Sequence, residues 1–232
     1  MQNTLTSTTP HLLALLQLAD SALPTGAFSH SFGLESYIES EKVHDESSFR
    51  KWLELFLTQS LCYTDGLVVR LAHQSVDGAE IARLDALIQA ATLPRQMRDA
   101  AIKMGARMLA VAQAVFPTQE LSDYAARVGQ GECLGHPGIA FALGVKGAGA
   151  PIADAVSGYL FSTVTSLTQN AIRAIPLGQD AGQRVLHAMH EPVRRVTERI
   201  FALSVDDLGA AAPGLEIAQM RHEHLRARMF MS

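Results

Sequence analysis

Apolar residues recur at helical spacing along almost the whole chain, and this periodicity constrains the fold more than any other feature. From Met97 the stripe runs through Ala101, Met104 and Met108 to Val115, the spacing with which amphipathic helices pack against one another. Alternation of apolar and polar residues, which marks a half-buried strand, is hard to find, and only 6% of residues are aromatic. The pattern predicts an all-α fold, a single-domain bundle of about ten helices.

Start and stop signals set the expected limits of the first helices. Thr9 followed by Pro10 favours a helix start, because Pro suits the first helical position and Thr caps the turn before it. A second helix is expected at residues 31–40. Asp45 or Ser47 is expected to cap the third, since short polar side chains accept hydrogen bonds from the first free amides of a helix.

Signals near the end of the chain predict two further features. Pro192 lies in a helical stretch at residues 180–203, so it either kinks that helix or marks the boundary between two helices. A last helix begins after Pro213, and its apolar stripe includes Leu225 and Met229 at steps of three and four residues.

Composition excludes several classes of protein. With 48% hydrophobic and 18% charged residues the chain is not intrinsically disordered, and a net charge of −4 does not mark a nucleic-acid binder. The two cysteines fit a reducing compartment.

Residues 1–9, expected to be a flexible tail, lack a secretory signal, and the longest charge-free run, 155–172, is too polar for a membrane span. We therefore expect a soluble cytoplasmic protein without a membrane or nucleic-acid partner.

The acidic stretch between residues 35 and 46 carries five carboxylates and one lysine. A solvated helix end with its turn is the common explanation of such a stretch, and a docking surface for a basic partner is the alternative.

Chemical motifs are largely missing. The sequence contains neither a phosphate-binding loop nor a nucleophile elbow nor a zincin helix. The pairs Cys133 with His136 and His187 with His190 have the spacing of metal ligands, but neither completes a site. His222 falls on an apolar stripe, where a hydrogen-bonded core or interface histidine is the simpler interpretation. The methionine stripe is likewise more typical of a core than of a metal site. The residues predict no metal site and no cofactor.

Two alternatives stay open at this point. One is a nickel-binding metallochaperone that takes its ligands from Cys133, His187, His190 and His222. The other is a helical enzyme centred on Asp20, His30 and Glu35, although nothing nearby supplies a nucleophile with an orienting base.

Residues 16–35 resemble the signature segment of the UreF family of urease accessory proteins. Residues 135–144, 175–184 and 220–223 match the same family in the same order. The resemblance implies an all-α adaptor, not an enzyme, that forms a homodimer and binds UreD on one side and the GTPase UreG on the other. The complex docks on apo-urease and supports GTP-dependent nickel insertion. Whether the adaptor stimulates GTP hydrolysis, nucleotide exchange or only the alignment of its partners stays open.

Partner binding is expected at two places: the loop after the first helix, and a C-terminal segment, residues 221–232, that follows an all-helical domain at 10–220. The segment carries arginine and aromatic side chains, which interface hot spots favour, although the family ending resembles Arg-Leu-Phe-Arg-Ser and Met231 replaces its second arginine. The alternatives are that Phe28 plugs the bundle and that the segment is an ordinary helix end. The expected partner-binding residues are Pro24, Gly26, Phe28, His30, Arg221, His222, Glu223, Arg226, Arg228 and Phe230.

Overall fold

The computed structural model describes residues 10–209 and 212–232, and these form an all-α bundle of twelve α-helices without strands. The expected fold class is confirmed; Thr9 and the expected tail at residues 1–9 lie outside the described residues. The first six helices are α1 (Pro10–Leu18), α2 (Leu34–Glu39), α3 (Glu46–Phe56), α4 (Asp65–Gln74), α5 (Gly78–Ala91) and α6 (Arg95–Val115).

The second half of the chain adds six more helices, and the boundary near Pro192 is confirmed as a division between two of them. The break falls at Met189, so Pro192 occupies the first turn of the following helix, where no amide needs an intrahelical acceptor. These helices are α7 (Gln119–Gly129), α8 (Pro137–Gly147), α9 (Ile152–Ala174), α10 (Gln179–Ala188), α11 (His190–Phe201) and α12 (Pro213–His222).

Side-chain caps explain where several helices begin. Asp45 caps α3, accepting a hydrogen bond from the amide of Ser48 at 2.8 Å, and the Ser48 hydroxyl oxygen accepts one from the amide of Asp45. Thr118 caps α7 in the same way through the amide of Leu121. Both follow from the preference of short oxygen-bearing side chains for the N-cap position.

Helix α8 lies at the centre of the bundle. All residues from Pro137 to Val145 are buried, and the helix packs mainly against α6 and α4 and also against α9, α1 and α7. A helix that is apolar all round is stable only when it is surrounded. Helix α6 packs closely against the residues just before α8 because position 105 is glycine. A Cβ added at Gly105 would lie 2.1 Å from the carbonyl oxygen of Gly135.

Two sequence-based boundaries were wrong. The second helix starts at Leu34, because Phe32 and Gly33 have positive φ angles of 53° and 91° and cannot continue a right-handed helix. The last helix ends at His222, so Leu225 and Met229 lie beyond it. The methionine stripe of α6, by contrast, belongs to the core, with its methionines buried and only Val115 at its end exposed.

Candidate functional site

The loop between α1 and α2, residues 19–33, is here named the signature loop. Asp20 accepts the amide of Ala22 at 2.8 Å and so closes the first turn. Gly26, at φ 86°, begins a short 3-10 turn, Ala27–Ser29, and the left-handed conformation explains why glycine stands there. Pro24 is exposed, and its carbonyl accepts a hydrogen bond from Arg107 Nε at 3.3 Å. The loop is therefore fixed by its own turns and by α6.

Phe28 does not plug the bundle, because its side chain is 55% exposed. Its carbonyl is held instead, accepting a hydrogen bond from Arg173 of α9 at 2.6 Å. The same guanidinium bonds Asn170, which donates through Nδ2 to the carbonyl of His30 at 2.7 Å. Helix α9 thus anchors the backbone of the loop and leaves the aromatic ring in solvent.

His30 is buried on the inner side of the signature loop. Its Nδ1 lies 2.6 Å from the hydroxyl oxygen of Ser232, 202 residues away in the chain. Burial lowers the pKa of His30, and electrostatic interactions with Lys103 and His222 lower it further. The ring is therefore neutral near pH 7 and acts as a hydrogen-bonding group.

Residues 223–232, here named the strap, return from α12 to the signature loop. Phe230 is 5% exposed, and the Arg173 guanidinium carbon lies over the Phe230 ring, 5.2 Å from the ring centre. Met229 and Met231 are 60% and 56% exposed. The strap and the loop therefore form one surface, and Phe28, Met229 and Met231 are its exposed apolar side chains.

Beneath this surface, Glu35 joins α2 to α12 and to the strap. Its Oε2 accepts from His222 Nε2 at 2.8 Å, and His222 is fully buried with Nδ1 2.9 Å from Gln96 Oε1. The interpretation of His222 as a hydrogen-bonded core or interface histidine is confirmed. Because the ring is enclosed between a carboxylate and an amide, it is not available as an open metal ligand.

The structure brings together four of the expected partner-binding residues and leaves the others at the periphery. Where the loop and strap join, Arg173 contacts both Phe28 and Phe230, His30 bonds Ser232 of the strap, and Glu35 bonds both His222 and the amide of Phe230. Glu223 forms an ion pair of 2.9 Å with Arg95, which lowers the pKa of the Glu223 carboxyl. The remaining residues occupy exposed or half-buried positions around this junction: Pro24, Gly26, Arg221, Arg226 and Arg228.

The residues of the enzyme alternative do not form a catalytic arrangement. Asp20 closes its own turn, and Glu35 bonds His222 rather than His30. Within the described residues the His30 ring hydrogen-bonds only one side chain, the hydroxyl of Ser232, and no Asp or Glu side chain orients it. An acid–base triad needs all three groups in sequence.

The residues of the metallochaperone alternative are dispersed. The His187 and His190 rings are 5.2 Å apart on the exposed α10–α11 junction. Cys133 is buried in the loop before α8, and burial raises the pKa of its thiol, which disfavours the thiolate that binds metals. His136 caps α8 with Nδ1. Within residues 10–209 and 212–232, no group of three or more potential ligands could hold a metal ion.

A cavity that sequence reasoning missed lies between the signature loop, α4, α6 and α9. Its volume is about 160 Å³. At its inner end Asp65 accepts from the Tyr159 hydroxyl at 2.9 Å, and His136 Nε2 lies 3.8 Å from the same carboxylate oxygen. Burial lowers the pKa of His136, so the neutral ring, whose Nδ1 accepts the amide of Gly138, carries its proton on Nε2. These three side chains form a polar end in a cavity whose lining is otherwise largely apolar and includes the methionines of α6.

A buried carboxylate, also missed, positions the loop that carries His136. Asp85 accepts the Tyr124 hydroxyl at 2.6 Å and the amides of Leu134 and Gly135 at 2.7 and 3.1 Å. The Tyr124 oxygen in turn accepts the amide of His136 at 2.8 Å. The detectable signal was an acidic residue on the apolar face of α5.

Membrane insertion finds no support in the helices: among the described residues, none is both long and apolar enough to span a bilayer.

Comparison with known proteins finds a matching family and several similar relatives. The family model described as UreF matches residues 43–190. The chain is similar to the protein named urease accessory protein UreF of Arthrobacter sp. (strain FB24), with 56% identity over 95% of this chain and 96% of the relative. The proteins of the same name from Paenarthrobacter aurescens (strain TC1) and Kocuria rhizophila are 52% and 45% identical, each over 95% of this chain and 97% of the relative. The chain therefore belongs to the UreF family of urease accessory proteins.

Proposed function

We propose that the protein is an adaptor that bridges UreD and the GTPase UreG and supports GTP-dependent nickel insertion into apo-urease in the cytoplasm. The observation that carries the proposal is the composite surface of signature loop and strap. Three apolar side chains are more than half exposed there, on a backbone held by α9, α2 and the loop's own turns. Exposed apolar groups on a preorganised backbone bind partners at a low entropic cost.

We assign UreD to this surface. Removing residues 226–232 deletes the exposed methionines and Phe230 without cutting any helix. The truncated protein is expected to keep near-native helicity by circular dichroism and to lose recovery of UreD in a pull-down. A Glu80→Gln variant, altered at an exposed position on α5, serves as the control. Unchanged recovery of both UreD and UreG by the truncated protein would show that the surface has no role in binding.

Pull-downs with cognate UreD and UreG, tested separately and together, examine the bridging role itself. An adaptor is expected to recover each partner alone or to recover UreG only in the presence of UreD. If the protein recovers neither UreD nor UreG under any of these conditions, the adaptor role is refuted.

A homodimer is part of the same proposal. Leu12, Leu13 and Leu16 are 47%, 60% and 59% exposed on α1, and apolar helix faces of this kind are commonly covered by a second subunit. Light scattering is expected to give the mass of a dimer at tens of micromolar protein. A strict monomer under those conditions would contradict the dimer and leave the adaptor role untouched.

The metallochaperone is separated from the adaptor by isothermal titration of the purified protein with nickel. For an adaptor, the dissociation constant for nickel is expected to lie above the submicromolar range, because the exposed pair His187 and His190 supplies only two ligands. Submicromolar affinity would favour the chaperone.

A further inference from the structure

The Glu35 carboxylate receives three hydrogen-bond donors from the C-terminal part of the chain. Oε2 accepts from His222 Nε2 at 2.8 Å and from the amide of Phe230 at 3.2 Å, while Oε1 accepts the amide of Met229 at 2.5 Å. The side chain is only 13% exposed. Two consecutive strap amides therefore bond to a single, largely buried anion, and bonds to a charged acceptor are stronger than those to a neutral one.

The signature loop continues the same pattern of bonds. The amide of Met231 donates to the carbonyl of Ser29 at 2.8 Å, and the amides of Ser31 and Phe32 both donate to the carbonyl of Ser232. The two amides converge on one oxygen next to the left-handed turn at Phe32 and Gly33. A positive φ angle is unusual for an aromatic residue, and its presence here marks a backbone shaped to receive the strap.

These backbone bonds determine which strap side chains face solvent. Along residues 229–232 exposure alternates: Met229 and Met231 are exposed, whereas Phe230 and Ser232 are 5% and 2% exposed. Alternation of this kind is a property of extended chain, and a shift of one residue exchanges the two faces. Such a shift would bury the methionines and expose Phe230.

We propose that Glu35 is a positioning residue for partner binding: it holds the strap in the register that places Met229 and Met231 beside Phe28 on the exposed surface. Glu35 acts from beneath this surface, and the three apolar side chains make the contact. The inference rests on the proposed function, because it assigns to Glu35 a role in the same binding surface.

The first test needs no partner and uses hydrogen exchange. Gln at position 35 keeps the size of the side chain but has one acceptor oxygen and an NH₂ group that cannot accept a bond. In Glu35→Gln the amides of Met229 and Phe230 are expected to exchange about tenfold faster, the equivalent of one hydrogen bond to a charged group. Glu39→Gln, on the same helix, is the matched control. Equal protection in both variants would overturn the inference.

The second test is a double-mutant cycle on the affinity for UreD. In the full chain Glu35→Gln is expected to weaken binding by about tenfold. In a background that carries Met229→Ala and Met231→Ala but keeps Phe28, and so retains measurable binding, the same substitution is expected to change nothing, because the side chains that Glu35 positions are gone. A positioning role elsewhere in the fold would give the same loss in both backgrounds, and that result would overturn the inference.

The truncation of residues 226–232 and Glu35→Gln together distinguish the two proposals. If the truncation alone leaves UreD and UreG binding unchanged, the binding surface itself is wrong and the role of Glu35 falls with it. If the truncation abolishes binding while Glu35→Gln in the full chain has no effect, only the positioning inference fails.

A second variant removes one donor without touching α2, in case Glu35→Gln does not fold. Met229→Pro deletes the amide that bonds Glu35 Oε1. Ala227→Pro is its control, since Ala227 is exposed and its amide donates no hydrogen bond within the described residues. Because Met229 is itself a contact residue, Met229→Ala, which removes the same side chain but keeps the amide, is the second control. Met229→Pro is expected to weaken UreD binding about tenfold more than Met229→Ala, and Ala227→Pro is expected to leave binding unchanged. Equal affinity of Met229→Pro and Met229→Ala would contradict the role of the amide. Equal effects of the two prolines would overturn the inference.

Discussion

Asp85 offers the most direct test of how the buried polar groups hold the bundle together. In Asp85→Ala the Tyr124 hydroxyl and the Gly135 amide lose their acceptor inside the protein, whereas Leu134 is half exposed and its amide can turn to water. A buried donor left without a partner costs about 1–3 kcal/mol. The two together predict a loss of about 2–6 kcal/mol in the free energy of unfolding, a large share of the roughly 5–15 kcal/mol typical of a domain.

Urea unfolding followed by circular dichroism measures this loss, provided that the slope of the transition is the same as for the unmodified protein. Asp123→Ala is the control, because Asp123 lies on the exposed face of α7 and bonds only the Gln119 side chain, at 2.7 Å. The control is expected to change the free energy of unfolding by no more than about 0.5 kcal/mol.

The mechanism makes a sharper prediction about the pair Asp85 and Tyr124. Tyr124→Phe removes the hydroxyl that Asp85→Ala would leave without an acceptor. The free energy of unfolding of the double variant should therefore fall by less than the sum of the falls in the two single variants, with a coupling energy of about 0.5–3 kcal/mol. Strict additivity, or a loss below about 1 kcal/mol for Asp85→Ala, would refute the reasoning that unpaired buried donors dominate at this position.

Three further predictions concern pH, binding and thiol reactivity. Burial lowers the pKa values of His30, His73 and His136. As pH falls, the unfolded chain therefore binds protons at a higher pH than the folded protein does. The free energy of unfolding should fall as pH drops below about 6.5, by at most about 1.4 kcal/mol per pH unit for each histidine. Urea midpoints that do not change between pH 7.5 and 5.5 would contradict this. Phe28→Ala should leave the melting temperature unchanged, because the ring is exposed, while weakening UreD binding by about 2 kcal/mol if Phe28 is a hot spot; a sharply lowered melting temperature would instead indicate a core role. Burial raises the pKa of Cys62 to about 11, so its thiol should react with a disulfide reagent at pH 8 only as fast as the protein unfolds, and rapid labelling of the native protein would be inconsistent with this burial.

Local signals in the sequence predicted much of the bundle because they act within one helical turn. Asp45, one of the two expected candidates, caps α3, since a cap needs only its own side chain and an amide two or three residues later. The apolar stripe of α6 likewise predicted its buried face. Periodicity carries this information whatever the helix packs against.

The polar network of the core was missed for the opposite reason. Asp85 occupies a position on the apolar stripe of α5 with Ile81, Leu84 and Ile88, all of them buried. An acidic residue there predicts a buried carboxylate with partners, but not which partners. Its donors come from α7 and the loop before α8, 39 to 50 residues away, and nothing in the local pattern specifies that approach.

The strap shows why the last helix was extended too far in the sequence-based prediction. Leu225 and Met229 fit helical spacing, yet residues 229–232 alternate in exposure as extended chain does. So short a segment is compatible with either period, and the backbone partners decide between them. Those partners, Glu35 and the carbonyl of Ser29, lie nearly two hundred residues earlier in the chain.

The manner in which the strap is held has a consequence for its dynamics. Apart from Phe230 and Ser232 its residues are exposed or half-buried, so it contributes little apolar burial, and hydrogen bonds to Glu35 and the signature loop hold it in place. Segments with few buried apolar contacts open at a lower free energy than the core that carries them. The strap is therefore expected to open and close while α8 and its neighbours stay folded. A partner that binds only the docked strap can then shift this local equilibrium by its differential affinity for the two states, without any rearrangement of the bundle.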